Sequence, residues 1–249
     1  MNRGAFHQLF ATRGPVVLPV IHVLETAATL RNIEILTAAG APGCFLINHD
    51  FEVARFLPII RAVRASAPDL WMGVNFLAVT GRDAFPVLGQ LAREDCRIDA
   101  YWADDTRIEE RADTQTEAEE IAAVRASSAW TGLYFGGVAF KKQRPVEPRL
   151  HRTAAANATG FMDVITTSGP ATGMTAEASK ISDFRAGVGD RPLALASGVT
   201  PDNAATYADV DAFLVATGIN RPDDFYNIDA ERLTALLQVA SALGDRRSP

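Results

Sequence analysis

Cysteine is scarce, with only Cys44 and Cys96 among 249 residues. They stand in separate apolar contexts without metal-ligand spacing. That excludes a disulfide framework and fits buried thiols in a reducing compartment. Long apolar runs are missing as well. No stretch approaches the ~20 residues needed to cross a bilayer, and the opening MNRGAFHQLFATRGP has no continuous apolar core of the signal-peptide kind. No transmembrane segment and a cytoplasmic location are therefore expected. Clustered positive charge is absent too. The net charge is −6, and the longest basic cluster is Lys141, Lys142 and Arg144, too small for a nucleic-acid footprint. No GxGxxG opens the first helical segment, which argues against a dinucleotide-binding open sheet.

The remaining composition is that of a globular enzyme, 48% hydrophobic and 22% charged. Short β-rich apolar runs alternate with helical stretches from end to end. The runs are 16–23, 43–48, 71–77, 98–103, 133–140, 161–166, 192–196 and 212–217. Helical periods cover 29–39, 51–67, 84–94, 115–126, 149–158, 176–187, 202–208 and 229–243. Strictly alternating elements imply parallel strands with crossover helices. Eight such units in a chain of this length predict one (β/α)8 TIM barrel, a fold of about 250 residues. No linker divides the chain, so 1–249 reads as a single domain with a frayed tail over 244–249. Thr200 or Asp202 is expected to cap the seventh helix and Asp229 the last, and Gly40 to stop the first.

Barrel enzymes build their sites from strand C-termini and the loops that follow. Polar residues concentrate there in this sequence: His22 after strand one, Asn48-His49-Asp50 after strand two, Asn75 on strand three and Asp104 after strand four. Lys141-Lys142 follow strand five, and Thr166-Thr167-Ser168 end strand six. In the third run Met72, Val74 and Phe76 form one apolar face, so Trp71, Gly73 and Asn75 should point into the barrel. His22 shares a face with Leu18 and Val20, and Ser197 with Leu193 and Leu195. Parity alone does not say whether those faces are inward. The candidate catalytic set is His22, Asn75, Asp104 and Lys141: Asn75 and Lys141 to polarise a reacting centre, His22 or Asp104 to move protons. A desolvated Lys141 could also form a Schiff base.

Small residues follow the last strands, at Ser197-Gly198-Val199 and Thr217-Gly218. There, glycines free of Cβ would let backbone amides approach an anion. Ser168, Gly169, Thr172 and Gly173 form a second hydroxyl- and glycine-rich loop, able to extend that cradle or to act as a lid. The bland alternative is a pair of turns by which the chain leaves the barrel. No cofactor is expected. A divalent metal has no local motif, and His22, His49 and Asp50 are the one set that could converge on it.

The motifs carry a resemblance. The chain is similar to the BtpA family of barrel proteins, which includes the SgcQ-like proteins. The likeness runs from Val20-Ile21-His22 through Met162–Gly169 and Thr172-Gly173. It continues over Ala196-Ser197-Gly198-Val199-Thr200-Pro201-Asp202-Asn203 and Asp211–Gly218. It departs at Ile47–His49, Trp102, Gly137 and Lys141-Lys142, where the family pattern has an acidic residue, an arginine, an aspartate and a lysine-histidine pair. The resemblance implies the barrel and a site at its mouth. Two functions follow as expectations. One is a lyase, aldolase or isomerase acting on a small phosphorylated or anionic metabolite. The other is a non-catalytic assembly factor of the photosystem-biogenesis type. A homo-oligomer is compatible with both.

Overall fold

The computed structural model describes residues 1–245. Eight parallel strands close in chain order: β1 (Val16–Val23), β2 (Cys44–Asn48), β3 (Met72–Phe76), β4 (Ala100–Ala103), β5 (Leu133–Gly137), β6 (Val164–Thr167), β7 (Leu193–Ala196) and β8 (Ala212–Val215). The ring closes through β1 and β8, with Val16 beside Ala212 and Pro19 beside Val215. Around it lie α2 (Thr26–Ala38), α3 (Val53–Ser66), α4 (Gly81–Arg93), α5 (Thr116–Ser128), α6 (His151–Ala158), α7 (Ala178–Val188) and α8 (Ala230–Asp245). The TIM barrel expected from the alternation is the fold observed.

Two local expectations fail, and a third lies mostly outside the described residues. A helix over 202–208 gives way to a single 3-10 turn, Ala204–Tyr207. Neither Thr200 nor Asp202 caps it. Instead the Asn203 side chain accepts from the Thr200 amide at 2.8 Å and donates to the Gly198 carbonyl at 2.7 Å, so the segment closes on itself as a turn. The fifth strand stops at Gly137, and Phe140 folds back into the lumen rather than extending the strand. The expected frayed tail is helical at Gly244 and Asp245, and its remainder lies outside the described residues. Gly40 does end α2, with φ +80°, and Asp229 does cap α8, accepting from the Glu231 and Arg232 amides at 3.0 and 3.1 Å.

The sequence reading missed one helix, α1 (Arg3–Leu9), which is capped by the Asn2 side chain. It closes the bottom of the barrel. Phe6, fully buried, meets Phe135 at 6.2 Å, and Phe10 meets Trp71 at 5.0 Å. The lumen core is Val16, Leu18, Val20, Phe45, Ile47, Ala100, Trp102, Phe135, Val164, Ala194, Ala196, Ala212 and Leu214. A second apolar layer, including Met72, Val74 and Phe76, packs between strands and helices. The split of β3 is therefore as its alternation predicts, with Asn75 on the lumen side.

A threefold device anchors the bottom. Asp99, Asp163 and Asp211 stand just before β4, β6 and β8. Each donates its backbone N–H to a carbonyl on the preceding strand (Met72, Tyr134, Leu193) at 2.9, 3.0 and 2.7 Å. Each carboxylate accepts from the amide of the same residue and from an arginine of α3, α5 or α7: Arg64, Arg125 and Arg185 at 2.9, 2.6 and 2.8 Å. Asp211 also receives Arg3 and His7 from α1, which ties the plug to the ring.

Candidate functional site

The opposite end holds a cavity of about 60 Å³ at the strand C-termini. Its floor is apolar, made by Val20, Ile47, Trp102, Ala196 and Leu214. Its rim is polar: His22, His49, Asp104, Lys141, Lys142, Thr172, Ser197 and Thr217. Each position follows from the barrel. Lumen-facing residues alternate along every strand, so the last inward position of a strand, or the first residues beyond it, must look into the mouth.

Asn75 lies behind the rim and acts through Asp104, its Nδ2 donating to Asp104 Oδ1 at 3.1 Å. Burial pushes the Asp104 carboxyl above the usual carboxylate range, against the opposing pull of Asn75, Lys141 and Lys142. Burial likewise holds the Lys141 amine below its ordinary value, with Asp104 drawing it back up. Asp104 and Lys141 thus border the same cavity, each held by burial away from its ordinary value.

His22 is held differently. Its ring stacks on Phe225 with centroids 3.7 Å apart and planes 3° apart, and His49 meets it edge-on at 4.8 Å. Nδ1 lies 2.9 Å from the Phe225 carbonyl oxygen, which can only accept, so Nδ1 carries the hydrogen. Burial depresses the ring's pKa to about 4, the Phe225 bond working against it. At neutral pH the ring is therefore uncharged and Nε2 is its acceptor. The Phe225 segment was not foreseen from the sequence. It is a strap after β8, bridged between Asn220 and Ile228 and fastened by Asn32 to the Tyr226 carbonyl (2.7 Å) and by Tyr226 to Asp50 (2.9 Å). Asp50 is thus engaged by the strap. Among the described residues, no group of three or more His, Cys, Asp or Glu side chains is placed to hold a metal ion.

The loops after β5, β6 and β7 are stitched together. Ser168 Oγ accepts from the Lys141 amide at 2.8 Å, and Ser197 Oγ accepts from the Gly169 amide at 3.0 Å. Lys180, on α7, donates to the carbonyls of Ala139 and Ser168 at 2.6 and 2.7 Å, and burial lowers its pKa to about 8. Lys141 is thereby positioned by a neighbouring loop and helix, on a segment whose flanks Ala139 and Lys142 both have positive φ. Ser197 belongs by parity to the outward face of Leu193 and Leu195. Its φ of +128° turns it back to the rim.

Of the expected anion-binding residues, Thr172, Gly173, Ser197, Gly198, Thr217 and Gly218 line the cavity. Ser168, Gly169 and Val199 do not, being committed to the stitching and to the outer core. The reason for the glycines needs correcting. A Cβ on Gly198 would lie 2.3 Å from the Met174 carbonyl oxygen, one on Gly218 1.9 Å from that of Val199, and one on Gly169 2.2 Å from that of Met174. These glycines let loops pack on one another. The catalytic candidates His22, Asp104 and Lys141 do meet at one cavity, with Asn75 immediately behind.

No helix among the described residues is long and apolar enough to cross a membrane. No family model and no curated protein matches the sequence. Solved structures do match the fold. The tryptophan synthase α subunit of Legionella pneumophila str. Paris aligns with TM-score 0.65 at 15% identity, over 99% of both chains. The (S)-3-O-geranylgeranylglyceryl phosphate synthase of Thermoplasma acidophilum, in complex with its substrate sn-glycerol-1-phosphate, aligns with TM-score 0.63 at 14% identity, over 97% of this chain and 99% of that one. The phosphoribosyl anthranilate isomerase of Thermus thermophilus gives 0.59 at 15% identity, over 91% and 98%. At such identities the likeness is one of fold: the chain is a TIM barrel, and these structural neighbours are TIM-barrel synthases and isomerases.

Proposed function

We propose that this barrel is an enzyme of lyase, aldolase or isomerase type acting on a small phosphorylated or otherwise anionic metabolite at its C-terminal mouth. The observation that carries the reading is the Asn75–Asp104–Lys141 group: the half-buried Asp104 and Lys141 border one cavity with Asn75 behind Asp104, and burial moves the carboxyl up and the amine down. General acid–base chemistry uses groups shifted in this way, and here both shifted groups border a cavity rather than a loop junction. Lys141 and Lys142 outnumber the single carboxylate on the rim, which favours an anionic ligand. Asp104 moves the proton, Asn75 orients it, and Lys141 carries charge to the reacting oxygen. His22 is too weak a base to exchange protons near neutral pH and accepts a hydrogen bond from the substrate through Nε2. Thr172, Ser197 and Thr217 supply hydroxyls to the anionic end. The neighbour bound to sn-glycerol-1-phosphate supports a ligand of this class. The BtpA likeness, carried by Met162–Gly169 and Ala196–Asn203, supports the same location in a protein placed in a reducing, cytoplasmic compartment.

One observation favours the second reading, a non-catalytic assembly factor. Trp102 fills lumen space that a deeply seated ligand would otherwise occupy. The deciding experiment screens phosphorylated sugars, nucleotides and short organic acids for thermal stabilisation, then follows each stabilising compound by NMR for conversion. Conversion by the wild type that Asp104→Asn abolishes is the expected result. Stabilisation without conversion of any compound would leave the binding-factor reading standing and the enzyme reading refuted.

A further inference from the structure

Lysine is the chain's rare cation. Of its 24 lysines and arginines only three are lysine: Lys141, Lys142 and Lys180. Every ion pair among the described residues is made by an arginine or a histidine. Arginine serves wherever a fixed charge is needed, because guanidinium keeps its proton in proteins and forks onto a carboxylate. Lysine offers what arginine cannot, an amine that can shed its proton and attack carbon. The three lysines also stand together. Lys141 and Lys142 follow β5, and Lys180 reaches from α7 to the carbonyls of Ala139 and Ser168. Lys142 is exposed, and the Lys180 amine is taken up by those two carbonyls. Lys141 differs from both. It is half-buried on the mouth cavity, and among the described residues its amine makes no ion pair and no hydrogen bond; the Phe140 ring centre lies 5.6 Å from Nζ. Its charge acts on His22, His49 and Asp104, all on the cavity rim, which sets the amine among them. Its backbone N–H is held by Ser168 Oγ at 2.8 Å, so the side chain springs from a fixed base. Burial lowers its pKa and so favours the free amine.

We propose that Lys141 is a nucleophile that forms a Schiff base with the carbonyl carbon of a small ketone carrying a carboxylate or a phosphate. The proposal rests on the reading of the mouth as an enzyme site for anions and names the substrate class. In its protonated form the amine draws the anion in, and in its free form it attacks. The nitrogen lone pair forms a C–N bond as the C=O π pair moves to oxygen. The nitrogen gives up one proton and the oxygen gains one, leaving a carbinolamine. The hydroxyl and the second nitrogen proton then leave as water, and a C=N bond remains. Amine plus ketone thus become imine plus water, with no oxidant or reductant. Asp104, on the same rim, carries the protons. A protonated imine draws electrons from the adjoining carbon, which is what breaking a C–C or C–H bond there requires. That matches a lyase, aldolase or isomerase.

With three lysines in the chain, a trapped adduct is assigned without ambiguity. The wild type is incubated with pyruvate in one arm and dihydroxyacetone phosphate in the other, a keto acid and a phosphorylated ketone. Sodium cyanoborohydride reduces any imine, and peptide mass spectrometry locates it. The expected result is a reduced adduct on Lys141 in at least one arm, with Lys142 and Lys180 at the level of a control without ketone. The arm that labels identifies the anionic group. Lys141→Arg keeps the charge and removes the nucleophile, so it is expected to lose the adduct. Should that variant not fold, the position mapped in the wild type decides alone. No adduct on Lys141 in either arm, or one shared evenly among the three lysines, overturns the proposal. If the wild type converts a metabolite and Lys141→Arg converts it equally well, the enzyme reading survives and this inference falls. If no anion stabilises the protein and nothing is trapped, both fall.

Discussion

The two ends of the barrel use the same residue types in opposite ways. At the bottom, Asp99, Asp163 and Asp211 each meet an arginine and a strand amide, and the side chain of Asp211 is wholly buried. Burial alone would raise the Asp211 pKa, but His7, the Leu193 amide and Arg3 outweigh it and bring it to about 2. At the mouth, Asp104 has an amide partner in Asn75, and its pKa moves the other way. The same kind of carboxylate is a fastener at one end and, in the proposed function, the proton carrier at the other. What separates the two roles is whether the fold supplies enough donors to hold the charge.

Breaking the bottom gives the largest expected effect. Asp211→Ala leaves Arg185 and Arg3 facing a void, and removing one partner of a buried pair costs about 3–5 kcal/mol. Denaturant unfolding should show that loss, with ligand affinity at the mouth unchanged in the surviving folded fraction. A mouth ligand affinity that falls in step with stability would show that the two ends are not separable.

Acid titration sharpens the comparison, because the ends respond in different pH windows. His22 has a folded pKa of about 4 against 6.5 in the unfolded chain. The unfolded state therefore binds the extra proton, and stability falls as pH drops from 6.5 to 4, by about 3 kcal/mol. Asp211 has a depressed folded pKa, so its contribution is complete above about 4 and is lost as pH falls to about 2, by about 2 kcal/mol. His22→Gln should shrink the first limb, to which the half-buried His49 and the buried His151 also contribute, and leave the second, whereas Asp211→Asn should act on the second alone. Stability measured against pH by urea unfolding checks this, and one shared limb in both variants would refute the assignment.

A smaller effect concerns Lys141. Lys141→Met should weaken binding of a stabilising anion by about 1.5–3 kcal/mol, the range for hydrogen bonds to charged groups, and leave the unliganded melting temperature unchanged or higher. That gain is expected because a desolvated amine is removed. A lowered melting temperature with unchanged affinity would place Lys141 among the structural residues. The smallest effect belongs to the strap. Phe225→Ala removes a half-exposed ring stack worth about 0.5–1.5 kcal/mol and should raise the pKa of His22, measured by NMR titration, as water reaches the ring.

Much of this architecture was legible in the sequence, for a physical reason. Strand and helix periods are local, so β1 was bounded as observed and the orientation of Asn75 followed from Met72, Val74 and Phe76. Strand-end chemistry is local too, and the cavity holds His22, Asp104 and Lys141. What stayed hidden depends on contacts far apart in the chain. Phe225 reaches His22 across 203 positions, and α1 plugs the barrel through Phe6 and Asp211. Gly198 and Gly218 look like an anion cradle until the opposing backbone is visible. The aspartates at 99, 163 and 211 were a usable signal, because each precedes an even-numbered strand. Their spacing is irregular, however, and the arginine partners lie on helices 26–38 residues away.

The central claim is that the mouth binds a small anion through Lys141 and its neighbours. Calorimetric and thermal titration of the wild type and Lys141→Met against phosphorylated sugars and short organic acids tests it most directly. At a concentration 100 times its Kd, a true ligand should stabilise the wild type by about 2.7 kcal/mol, and the variant by clearly less. Wild-type stability unmoved by any anion, or stabilisation identical in Lys141→Met, would contradict the account.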